Sequence, residues 1–86
     1  MELLDGNLII HVPKEIDHCS AEKIKYESDR FFAAGHVKNV IFDMSDVEFM
    51  DSSGIGMILG RYMSVRYIGG RVAVAAVPAR VNQVLI

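Results

Sequence analysis

The stretch Phe49-Met50-Asp51-Ser52-Ser53-Gly54-Ile55-Gly56-Met57-Ile58-Leu59-Gly60-Arg61-Tyr62 limits what this chain can fold into more than any other. Asp and Ser have side-chain oxygens that accept from the free backbone N–H groups of a helix's first turn. Behind them Ile55, Ile58, Leu59 and Tyr62 recur at i, i+3, i+4 and i+7, the spacing of one helix face. The pattern predicts a helix over about residues 53–68, stopped by Gly69-Gly70. Ser53 is expected to cap it and Ser52 to present a hydroxyl. Interior glycines lower helix propensity by about 1 kcal/mol each relative to alanine, so a purely structural helix has no use for Gly54, Gly56 and Gly60. Gly56 and Gly60 share a face, which points to close approach against a sheet or a partner. Gly54 is expected to leave the backbone beside the serines open to an approaching group.

The flanking segments read as an α/β chain. Leu3-Leu4 and Leu8-Ile9-Ile10 surround Asp5-Gly6-Asn7, and Asp-Gly between apolar runs predicts a hairpin. Its strands would cover residues 2–5 and 7–12, the second ended by Pro13. Asp17 or Ser20 is placed to cap a helix running to about Ala34. Its apolar face would hold Ala21, Ile24 and Phe31, with Tyr26 and Phe32 beside them, and Gly35 would stop it. Val40-Ile41-Phe42 predicts a strand covered on both faces. Residues 71–77 predict another, and Pro78 suits the start of a helix over residues 79–86. The order β-β-α-β-α-β-α implies right-handed crossovers and a mostly parallel four-stranded sheet. Strand-to-helix ends of such a sheet share one edge, which would bring Glu15 and Asp17 onto the same face as Ser52.

Composition narrows the function. With 86 residues, 51% of them apolar, the chain has material for one small core. Nine Lys and Arg against eleven Asp and Glu, without a basic run, argue against nucleic acid. The apolar stretches are far short of a membrane span, and the first residues lack the pattern of a signal peptide. Cys19 is the single cysteine, which excludes an internal disulfide, and it is expected to act as a partly buried small hydrophobe. These features suit the cytoplasm.

Enzyme motifs fail on spacing. After Gly54-x-Gly56 the third glycine of a dinucleotide fingerprint is missing, and no Gly-Lys-Ser/Thr exists for a phosphate loop. A nucleophile elbow needs Gly two residues before Ser, where Ser52 has Met50 and Ser53 has Asp51. His11, His18 and His36 lack metal-ligand spacing. The reading is a protein without catalysis, metal or cofactor.

Residues 49–56, continuing through Ile58-Leu59-Gly60-Arg61-Tyr62 and Ile68-Gly69-Gly70, resemble the signature of bacterial anti-sigma-factor antagonists. These are single STAS domains of the sporulation stage II AA and general-stress types. Glu15-Ile16-Asp17-His18 resembles the family's second signature, a Gly-Glu-Leu-Asp-like turn, with Lys14 where the family has glycine. Val40-Ile41-Phe42-Asp43 is similar to the strand before the motif. The resemblance covers nearly the whole chain and makes residues 1–86 one STAS domain. It also implies further elements: the rest of a third helix, a short strand and a final helix. A C-terminal truncation is therefore expected, and the apolar end Val81, Val84, Leu85 and Ile86 is expected to be covered or to mediate self-association.

What the resemblance implies is a switch. The unmodified antagonist binds an anti-sigma factor that is also a serine kinase of the GHKL ATPase type, and the sigma factor is freed. The kinase phosphorylates the serine after the motif aspartate, here Ser52. The modified antagonist lets go, and a PP2C-type phosphatase restores it. The implied partner-binding residues are Glu15, Asp17, Asp51, Ser52, Ser53, Gly54 and Gly56. Glu15 and Asp17 fit plain loop and cap roles equally well. Other classes stay open at this point: a receiver-like phosphotransfer or nucleotide-binding protein using Asp51 or Asp43, and a subunit of a stress-sensing assembly. The receiver reading lacks the acidic cluster after the first strand and a lysine after Val77, where only Arg80 stands.

Overall fold

The computed structural model describes residues 1–76. Asp5 and Gly6 take φ of 51° and 83°, the left-handed geometry a two-residue hairpin turn requires. They join β1 (Glu2–Leu4) to β2 (Asn7–His11) in an antiparallel pair with Leu3 opposite Leu8. Strand β4 (Asn39–Asp43) then runs parallel to β2, and β6 (Val72–Ala75) runs parallel to β4. The sheet order is β1-β2-β4-β6, so the expected four-stranded, mostly parallel sheet forms. Alternate residues fill the core: Leu8 and Ile10 from β2, Val40 and Phe42 from β4, all fully buried. Ile41 on the opposite face is only half-buried. The expectation of full cover on both faces therefore does not hold within the described residues.

Two helices lie side by side. Helix α1 (His18–Ala34) ends at Gly35, whose φ of 85° lets its N–H reach the Phe32 carbonyl. Helix α2 (Ser52–Tyr67) is one residue longer at its start than the spacing predicted and one shorter at its end. A second element was not anticipated. The two-residue strands β3 (Glu15–Ile16) and β5 (Phe49–Met50) pair in parallel, Glu15 with Phe49 and Ile16 with Met50.

The periodicity of α2 predicted the helix but the wrong face. The residues it buries are Gly54, Met57, Arg61 and Val65, whereas Leu59 and Tyr62 are exposed. Both stripes have helical spacing, and the apolar one lost because Gly54 has to fit beneath Met50 and Ile16. In α1 the stripe Ala21-Ile24-Ser28 is buried, Phe31 and Phe32 pack against the core, and Tyr26 faces water. Cys19 is exposed, not partly buried. Met44, Met50 and Met57 belong to the core, and Met63 does not. The expected helix over residues 79–86 and the apolar chain end lie outside the described residues.

Gly56 and Gly60 do not press against the sheet, for a Cβ at either position meets nothing within 4 Å. Gly56→Ala and Gly60→Ala should each stabilise the fold by about 0.5–1 kcal/mol through helix propensity. Urea midpoints check this, and a loss of stability in either variant would show that the space is filled.

Candidate functional site

The β3–β5 ladder builds the site. Its register sets Ile16 opposite Met50, and the Asp51 N–H donates to the Ile16 carbonyl at 3.1 Å. The chain turns into a helix one residue after each strand. Asp17 and Asp51 therefore stand as neighbouring N-caps of two helices that start at the same edge. Glu15, Asp17, Asp51, Ser52 and Ser53 come together at this separate two-stranded ladder, not at the edge of the four-stranded sheet.

Each cap uses its carboxylate locally. The Ser20 N–H donates to Asp17 Oδ1 at 2.9 Å, and the Asp17 N–H donates to Ser20 Oγ at 2.9 Å, a reciprocal capping box. In α2 the Ser53 N–H donates to Asp51 Oδ1 at 2.8 Å. Asp51 is thus the cap, and Ser53 sits inside the helix. The sequence favoured Ser53 because its hydroxyl is equally suited. The backbone decides against it, since Asp51 is the last residue held extended by the ladder, with φ −93° and ψ −173°. Ser52 is the first helical residue and is exposed, while Ser53 is half-buried.

Gly54 is buried and does not open the backbone to a visitor. A Cβ there would lie 2.6 Å from Met50 Sδ and 2.7 Å from Ile16 Cγ2, so Gly54 lets α2 close over the ladder. Gly56 is exposed and open.

Hydrogen bonding, chiefly from Ser20, holds the Asp17 carboxyl below its ordinary pKa, and bonding chiefly from Ser45, then His11, does the same for Asp43. A depressed carboxylate stabilises the fold above its unfolded pKa, and that contribution disappears as pH falls through the folded value. The acid limb of stability below about pH 4 should therefore flatten in Asp17→Asn. Urea unfolding across a pH series tests this, and an unchanged slope would sink it.

Sequence reasoning missed the exposure of Phe49 and left Arg61 open between a partner contact and structural packing. Phe49 is a 57% exposed aromatic three residues before Ser52, and nothing in an apolar lead-in marks which side it faces. Arg61 is buried between the helices, donating through Nη1 to Ser28 Oγ at 3.1 Å and to Asp29 Oδ1, with its Cζ 5.6 Å from the Phe32 ring centroid. Extending the Ala21-Ile24 spacing to Ser28 would have found half of that contact. Among the described residues no group of His, Cys, Asp and Glu is arranged to hold a metal. No described helix is long and apolar enough to cross a membrane.

An antiparallel hairpin leading into a parallel sheet, with two Asp-capped helices clamped at one edge, defines a regulatory α/β domain of the STAS class. Residues 1–85 match the STAS domain family, and the chain belongs to it. It is 33% identical over 85 residues to an anti-sigma F factor antagonist of Paenibacillus polymyxa, covering 99% of this chain and 73% of that protein. A second such antagonist, of Lysinibacillus sphaericus, is 33% identical over 64 residues, covering 74% of this chain and 55% of the relative. Among solved structures, the anti-sigma factor antagonist SpoIIAA in its unphosphorylated form superposes with a TM-score of 0.85 at 26% identity, over 98% of this chain and 76% of that one. The phosphorylated form of the Bacillus cell fate determinant SpoIIAA gives 0.84 at 26% identity, over 99% and 77%.

Proposed function

We propose that this chain is an anti-sigma factor antagonist controlled by phosphorylation of Ser52. The observation that carries the reading is the exposed Ser52 at the first position of an Asp51-capped helix. It stands in a fold similar to an antagonist solved both with and without phosphate. The unmodified surface, formed by Glu15, Asp17, Asp51, Ser52, Ser53 and Gly56, docks on an anti-sigma factor that is also a GHKL-type serine kinase. Docking frees the sigma factor, transfer of phosphate to Ser52 ends it, and a PP2C-type phosphatase resets the chain in the cytoplasm. Gly54 serves this surface from below, by letting the helix start sit where it does. The chain supplies a substrate hydroxyl and a docking face, and no catalytic step is assigned to it.

The geometry supports Ser52 over Ser53 as acceptor. Ser53 is half-buried and its backbone is tied to Asp51, so a kinase reaches it only by opening the first turn. Incubation with the native cytoplasm and ATP, followed by mapping of the modified residue, tests the assignment. Phosphate on Ser52, absent in Ser52→Ala, is expected. Phosphate on Ser53 alone, or an acid-labile pattern typical of an acyl phosphate on Asp51 or Asp43, would replace the reading.

A further inference from the structure

Of the four phenylalanines in the chain, Phe42 is fully buried, and Phe31 and Phe32 pack against the core. Phe49 does neither. It is 57% exposed, on the short strand that leads into the docking edge. The fold itself asks for no aromatic there. Strand β5 alternates, so Met50 fills the core while Phe49 faces out, and any good strand former would serve the ladder at that position. Its backbone is nonetheless pinned on both sides. The Phe49 N–H donates to the Lys14 carbonyl at 3.1 Å, and the Asp51 N–H donates to the Ile16 carbonyl at 3.1 Å. The ring therefore stands at a fixed place, three residues before Ser52. Charge surrounds it: Glu15 is its cross-strand neighbour, and Glu48 beside it pairs with Lys14 at 3.8 Å. An aromatic ringed by polar groups is the pattern of an interface anchor, with a desolvated centre and a rim that keeps water out. Two side-chain torsions on fixed backbone make it cheap to immobilise.

We propose that Phe49 is the anchor of the docked anti-sigma factor, inserting into an apolar pocket of that partner and so fixing where Ser52 lies on it. The inference rests on the docking reading above and deepens it by one residue. Two other aromatics are as exposed, Tyr26 at 68% and Tyr67 at 92%. Tyr26 lies midway along α1 and Tyr67 is the last residue of α2, so neither belongs to the edge where the helices start. The roles then divide within one short stretch. Phe49 supplies an apolar contact that phosphorylation leaves chemically unchanged, and Ser52 supplies the place where charge is added.

Calorimetric titration of the anti-sigma factor with the unmodified 86-residue chain and its variants tests the anchor. Phe49→Ala and Phe49→Thr are expected to bind about thirtyfold more weakly or worse, and Phe49→Leu within about fivefold of the native chain. Threonine keeps the β-branched shape that favours a strand, so it separates the ring from the ladder. Tyr26→Ala and Tyr67→Ala should bind as the native chain does. Amide resonances of Ile16, Asp51 and Ser53 are expected to keep their positions in every variant. Native affinity in Phe49→Thr would assign the residue to the ladder alone, and so would displaced ladder amides in both Phe49→Ala and Phe49→Thr. Native affinity in Phe49→Ala would show that nothing docks on the ring, and an equal loss in Tyr26→Ala that exposed aromatics act without regard to place. Each of these results overturns the anchor. A native chain that binds no anti-sigma factor removes the docking reading itself, so the two failures are told apart.

Discussion

Stoichiometric phosphorylation of Ser52, or its mimic Ser52→Asp, is expected to weaken binding to the anti-sigma factor by about two orders of magnitude or more. A helix N-terminus ordinarily welcomes an anion. Here that place is taken, because the Asp51 carboxylate already accepts from the Ser53 N–H. A phosphate on Ser52 would add about −1.5 to −2 charge next to Asp51, on the surface proposed to dock. The domain keeps its fold, since Ser52 is exposed and its side chain supports no core contact. Calorimetric titration of both forms against the anti-sigma factor, with thermal melts of each, decides the matter. Equal affinities, or a melt showing that the modified chain has unfolded, would contradict it.

Gly70→Ala is expected to be the most damaging single methyl in the chain. A Cβ there would fall on the Lys38 carbonyl oxygen and lie 2.8 Å from Val65 Cγ1. The opposing atom belongs to backbone that cannot yield. The Lys38 and Asn39 N–H groups both donate to the Gly6 carbonyl, at 2.8 and 3.1 Å, and Asn39 Oδ1 accepts from the Arg71 N–H at 3.0 Å. Gly70 itself donates to the Val65 carbonyl at 2.9 Å. Overpacking of this kind costs about 3 kcal/mol or more, which in a domain this size lowers Tm by roughly 10–20 °C. Gly54→Ala should be milder, because one of its neighbours is the flexible Met50 side chain. A Gly70→Ala melt within a few degrees of the native chain would mean that the β4 entry moves freely.

The parts of the structure that were legible in the sequence are those fixed by local chemistry. Asp5-Gly6 named its own turn, Gly35 its own helix end, and the unbroken run Val40-Ile41-Phe42 its own strand, though not its one-sided burial. The start of α1 was readable to within two candidates, Asp17 or Ser20, because cap chemistry is local; the structure makes Asp17 the cap and Ser20 its reciprocal partner. What escaped depends on partners far apart in the chain. Arg61 stays open between a partner contact and helix packing until Ser28 and Asp29 of the other helix are placed against it. The face of α2 was misread because Ile55, Ile58, Leu59 and Tyr62 form a better apolar stripe than Gly54, Met57, Arg61 and Val65. Hydrophobicity alone cannot know that a glycine is needed under Met50. The cap of α2 was misassigned for the same reason. The ladder with Glu15–Ile16 holds Asp51 extended, and two-residue strands leave no periodic trace.

That ladder has an electrostatic consequence. It points two helix starts at the same edge, and each carries about half a positive charge from its aligned peptide groups. Together they amount to about one unit of positive potential, set against the carboxylates of Asp17 and Asp51. The edge thus rests near a modest negative surplus, with Glu15 as its outer increment. A phosphate on Ser52, as proposed, would add about −1.5 to −2 to it within a few residues of chain. Under the proposed switch, a charge of that size at the helix starts would weaken this edge's hold on a partner while the register of the two short strands stays as it is.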